Sequence, residues 1–204
     1  AHAKISRRSF FSRHARENMS QEGGFAPPGA TTLMFRNIPR RYTNRLLLRE
    51  IELVAGASSV DMVFLPWDGD VRNMGYAFVN FVTSEFASAA RRGMDGKPWR
   101  FSGVPKLVKT VVARLQGLLP NLVQLREMIV RVPGQPVYPL VILGGKVVGY
   151  AEALRSIELD KGGSLESRQR RPPQRPARAE GESGVPQVQP RATSAAAGPH
   201  GARA

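Results

Sequence analysis

The chain is 204 residues long, and its 30 Lys and Arg against 16 Asp and Glu leave a formal net charge of +14. Such an excess points to a polyanionic partner, nucleic acid ahead of an anionic membrane surface. With 0 Cys there is no disulfide framework, thiolate zinc site or cysteine nucleophile, and the 3 His all lie in terminal stretches, against histidine catalysis or a histidine metal cluster. No apolar run approaches the ~18 residues that a membrane span needs. What remains is a non-enzymatic binding protein with no cofactor and no membrane segment.

Residues 1–30 open with AKISRRSFFSRHAR, Arg-rich and poor in acids, and end in the breaker-rich GGFAPPG. The opening has the composition of a transit peptide or of a disordered basic arm, and we read it as the arm. TLMFRNI, ended by Pro39, predicts a strand. YTNRLLLREIELVAG predicts a helix, with Thr43 as N-cap, Leu47, Ile51 and Val54 at helical spacing, and Gly56 as its stop. SVDMVFLP reads as a second strand, WDGDVRN as a turn-rich loop and MGYAFVNF as a third strand. TSEFASAARRGMDG predicts a second helix capped by Thr83 or Ser84, and PKLVKTVVARLQ a fourth strand. The order β-α-β-β-α-β over 31–125 is the α+β, ferredoxin-like arrangement, with two helices on one face of a four-stranded antiparallel sheet and the other face open. Residues 126–165 predict a small hairpin-and-helix appendage, and 166–204, rich in Arg, Pro, Gln and Ala, a disordered tail.

The third strand carries the chemistry. Side chains alternate along a strand, so Ala77, Val79 and Phe81 form one set and Tyr76, Phe78 and Asn80 the other. The first set supplies a core face, which leaves two aromatics on the face a half-buried sheet turns to water. Met74 to Phe81 matches the signature K/R-G-F/Y-G/A-F-V-x-F/Y of RNA-recognition motifs at six positions, with Asn80 in the free position and Met74 as the departure. Exposed aromatics on a stiff sheet hold splayed bases by stacking. The expected RNA-binding residues are therefore Tyr76 and Phe78 as stackers, Met34 as an apolar platform, Arg36 beside it, Asn80, and Arg40, Arg41 and Arg72 on adjoining loops for phosphates. Gly75 is expected to let the strand pack without a side chain in the way.

TTLMFRNIPRRYTNRLLLREI, FLPWD, NMGYAFVNF, DGKPW and ARLQG together resemble the Mei-two-like family, the C-terminal RNA-recognition motif of fungal meiotic regulators and their plant terminal-ear-like relatives. The resemblance covers residues 31–125 and implies single-stranded RNA binding in post-transcriptional control. It also implies that Met34, Asn37 and an apolar residue at 74 are family-typical. GLLPNLVQLREM would be an added helix that packs against the sheet or shields part of it.

Residues 134–163 resemble, in part, the C-terminal half of a glutaredoxin, with Tyr138-Pro139 at that family's substrate-contacting proline. Without Cys such a half would be a non-catalytic remnant. The partner expected is single-stranded RNA ahead of DNA, bound by a monomer in nucleus or cytoplasm, with the appendage as a place for a protein partner. The rival readings are a protein-interaction module on the same fold and the glutaredoxin-like remnant.

Overall fold

The structure, a computed structural model, describes residues 6–18, 28–69, 72–131 and 137–158. The tail expected over 166–204 lies outside the described residues.

Where a disordered arm is expected, Arg7–Glu17 form helix α1, with the Ser6 hydroxyl accepting from the Ser9 N–H at 3.1 Å as its cap. The composition conceals this helix because its buried residues are few: Phe11, His14 and Ala15, spaced to share one face. A short helix of that kind is held by the surface it covers rather than by its own propensity.

The domain follows as β1 (Thr32–Arg36), α2 (Asn44–Ala55), β2 (Val60–Phe64), a two-stranded ribbon β3 (Trp67–Asp68) and β4 (Arg72–Asn73), β5 (Tyr76–Phe81), α3 (Ser84–Met94) and β6 (Lys109–Val112). Thr43 and Thr83 cap α2 and α3 as expected, accepting from the Leu46 and Phe86 N–H groups. Beyond β6 come α4 (Leu118–Arg131), β7 (Leu140–Leu143), β8 (Lys146–Val148) and α5 over 150–158.

The main sheet has the order β6-β1-β5-β2-β7-β8, antiparallel throughout. Its first four members are the expected sheet, with β1 and β5 central. The hairpin β7–β8 is added at the β2 edge, where Met62 pairs with Val141 and Val63 with Leu140. The strand–turn–strand–helix order of the glutaredoxin-like resemblance is present, and here it closes an edge that would otherwise expose unpaired backbone groups.

Two apolar layers sandwich the sheet. Below it, Leu33, Phe35, Val63, Ala77, Val79 and Phe81 pack on Leu47, Ile51, Ala87 and Ala90 of α2 and α3. The two helices meet closely at Gly93, where an added Cβ would lie 2.1 Å from Val54 Cγ1. Above it, Met34, Met62, Phe64, Tyr76 and Phe78 pack on residues from α1, α4 and α5. The face expected to be open is covered.

Gly75 has a different reason from the one the sequence suggested. Its φ is +83°, whereas an added Cβ would only touch the Ile38 carbonyl at 3.8 Å. Backbone conformation, not space, selects glycine here.

Candidate nucleic-acid interface

The expected stackers stand together as the strand register requires. Met34 is opposite Phe78 and Arg36 opposite Tyr76 on the neighbouring central strands. The Tyr76 and Phe78 rings meet edge to face at 5.9 Å between centroids. They do not meet solvent: Met34, Tyr76 and Phe78 are 2%, 7% and 4% exposed.

Helix α1 lies on them. The Tyr76 hydroxyl donates to the Phe11 carbonyl oxygen at 2.7 Å, His14 stands edge-on to Phe78 at 5.6 Å, and the Phe11 ring sits 6.4 Å from that of Phe64. Two further bonds hold the ends of α1, Arg7 Nε to the Trp67 carbonyl at 3.0 Å and the Arg114 N–H to the Asn18 carbonyl at 2.9 Å. Burying Phe11 contributes about 1.5–3 kcal/mol and each neutral hydrogen bond about 0.5–1.5 kcal/mol, before the entropy of ordering the helix is subtracted.

Burial lowers the His14 pKa to about 4, so the docked ring is neutral. The Asn18 amide nitrogen stands 3.1 Å from Nδ1, which suits an unprotonated acceptor there.

Helix α4 is fixed differently. Thr32 Oγ1 donates to Asn80 Oδ1 at 2.7 Å and accepts from the Gly117 N–H and from Asn121 Nδ2 at 3.0 and 3.2 Å. Asn80 also accepts from the Thr31 hydroxyl and donates to Asp61 at 2.8 Å. The residue is buried, and its amide ties β5 to β1 and, through Thr32, to the start of α4. Leu122, Leu125 and Met128 then bury against the platform, and the Tyr150 hydroxyl of α5 donates to the Leu122 carbonyl at 2.7 Å.

The expected cations divide. Arg36 and Arg40, half-buried, line a groove of about 440 Å³ that opens beside Tyr76, together with Lys106 and with Arg16 from α1; no carboxylate lines it. Met34 and Tyr76 form its apolar side. Arg41 and Arg72 are exposed and stand outside that lining. The loop carrying Arg40 is pinned by Asn73, whose amide donates to the Pro39 and Tyr42 carbonyls at 2.8 and 3.0 Å and accepts from the Gly75 N–H at 2.8 Å. Asn37, at φ 61°, adds a bond to the Leu107 carbonyl at 3.2 Å. Sequence reasoning missed Arg16, Lys106, Asn73 and Thr32. Only the basic, Phe-containing character of α1 hinted at its part.

Among the described residues no group of His, Asp and Glu could hold a metal ion, and no helix is long and apolar enough to cross a membrane.

The RNA recognition motif 2 family matches residues 30–126. Protein MEI2-like 3 of Arabidopsis thaliana is 38% identical over 88 residues, 43% of this chain and 12% of that protein. Protein terminal ear1 of Zea mays is 33% identical over 103 residues, covering 43% of this chain and 16% of that protein. The chain thus spans less than a fifth of the length of these curated relatives. A solved structure of the Rna15 RRM with bound RNA (GU) overlays at TM-score 0.38 and 18% identity, over 47% of this chain and 96% of that one. Residues 30–126 are an RNA recognition motif of the Mei2-like kind.

Proposed function

We propose that this chain, built around a Mei2-like RNA recognition motif, binds single-stranded RNA, taking bases on Tyr76, Phe78 and Met34 and the backbone in the cationic groove. One observation carries the reading: Tyr76, of the aromatic pair on β5, lines a groove with Arg16, Arg36, Arg40 and Lys106 and no acid among them. Stacking is worth about 1–3 kcal/mol per base, the same order as burying a side chain such as Phe11. The reading assigns the chain no catalysis or cofactor, takes it as a monomer, and ranks RNA over DNA on family grounds, since stacking alone does not sense the 2′-hydroxyl.

Fluorescence anisotropy against a short single-stranded RNA, its duplex and the matching DNA tests this. Single-stranded RNA binds best, and Tyr76→Leu/Phe78→Leu, which keeps apolar bulk but removes both π-faces, weakens it by about 2–5 kcal/mol with the fold retained in circular dichroism. Equal binding by that variant would move the site off the sheet. A second reading has its own observation in its favour. The platform already accommodates a Phe-bearing amphipathic helix, so a partner helix could take that place. It predicts peptide binding that ignores salt.

A further inference from the structure

Helix α1 lies outside residues 30–126, the stretch the family matches, yet it occupies the position a stacked base would need. The geometry points to α1 as a built-in competitor of RNA: it covers the base platform in the free protein and leaves when a strand stacks there, while α4 stays. This rests on the RNA-binding reading and adds its regulation.

Two contacts of α1 engage the very groups a nucleotide would need. The His14 ring lies edge-on to Phe78, and the Phe11 carbonyl takes the Tyr76 hydroxyl. What holds α1 is one large buried apolar side chain, Phe11, with the smaller Ala15 and the neutral His14 beside it, the Tyr76 hydrogen bond, and two hydrogen bonds at its ends. The chain joining it to β1 includes the breaker-rich GGFAPPG. By contrast α4 carries three buried apolar anchors, the Thr32–Asn80 polar seat and a strap from α5. Of the two covers, α1 is the one whose removal leaves fewer buried polar groups without partners. It also carries Arg7, Arg8, Arg13 and Arg16, so once displaced it brings positive charge alongside a bound backbone instead of simply departing.

A covered platform binds with an apparent affinity reduced by the fraction of molecules whose cover is off. Hydrogen–deuterium exchange on the full chain, with and without a short single-stranded RNA, reads α1 and α4 separately. The expected result is that α1 amides lose protection about tenfold or more in the complex while α4 keeps its own. Phe11→Ala, which removes the anchor of α1 and no side chain of the motif, is expected to bind RNA about three- to thirtyfold tighter. RNA that binds while α1 stays equally or better protected overturns the proposal and makes α1 a fixed wall of the groove, leaving RNA binding itself intact but moving it off the covered aromatic face. Absence of RNA binding by both parent and Phe11→Ala overturns both. Exchange in the unmodified chain decides the matter even where Phe11→Ala folds poorly.

Discussion

The Tyr76 hydroxyl, at the centre of the sheet, is satisfied by the main-chain carbonyl of Phe11 at 2.7 Å, on a helix made 65 residues earlier. Burial pushes ionisation of that phenol far above the ordinary tyrosine range. The residue therefore has two separable parts: a ring, which the proposed site would offer to a base, and a hydroxyl that holds the cover.

Tyr76→Phe separates them. Removing the hydroxyl weakens the seat of α1 by about 1 kcal/mol and keeps the stacking face. RNA affinity is expected to rise about fivefold by anisotropy, and an unchanged or lower affinity would mean the hydrogen bond does not hold a cover.

The seat of α1 depends on pH through His14. Released, the ring titrates near its ordinary 6.5; docked, burial brings it to about 4. The docked pKa is the lower, so the released form takes up the proton. Docking is at full strength above pH 6.5 and weakens as the pH falls from 6.5 to about 4, by up to tenfold per unit. The charged groups sharing the groove around His14 are Arg13 and Glu17 of α1 and Glu127 and Arg131 of α4. Exchange protection of α1 across this range is the measurement. His14→Gln should flatten it, and a slope that survives that change would show that His14 is not its source.

Gly93→Ala tests the layer beneath the sheet without touching the site. The new methyl collides with Val54 Cγ1, a branched side chain with little room to turn within α2, and the expected cost is about 1–3 kcal/mol in urea unfolding. Val54→Ala in the same chain recovers part of it, and RNA affinity is unchanged in the fraction that is folded.

Salt dependence reports on the groove. For a single strand, each phosphate contact contributes about 0.7 to the slope of log K against log salt. Arg40→Ala and Lys106→Ala should each lower the slope by up to that amount, whereas Arg41→Ala and Arg72→Ala, outside the lining, should leave it nearly unchanged. Equal effects from all four would indicate a diffuse charge cloud in place of a groove.

The motif's own fold was legible because its signals are local. Thr43 and Thr83 cap as read, Gly56 ends α2, and the parity of Ala77, Val79 and Phe81 against Tyr76 and Phe78 assigns the two faces correctly. What was not legible is what lies against the second face. A strand's alternation tells which residues share a side, and carries nothing about whether a distant segment will cover it. Phe11 and His14 look like isolated residues in an arginine-rich arm, and only the sheet turns them into a face. Asn80 shows the same limit in a polar residue. Its position on the strand suggested a ligand contact, while its partners, Thr32 and Asp61, come from two other strands. The family resemblance did foretell α4, whose buried positions Leu122, Leu125 and Met128 recur at helical spacing.

Chain order gives the two covers different histories during synthesis. Helix α1 is complete before any strand exists, and residues 82–117 separate β5 from α4. At ~5–20 residues per second, the aromatic face waits about 2–7 s after its last strand is made before α4 can reach it. Of the three helices that finally lie above the sheet, α1 alone is available in that interval. Docked then, it would shield Tyr76 and Phe78 on the nascent chain, an apolar surface that would otherwise stand bare until α4 is made.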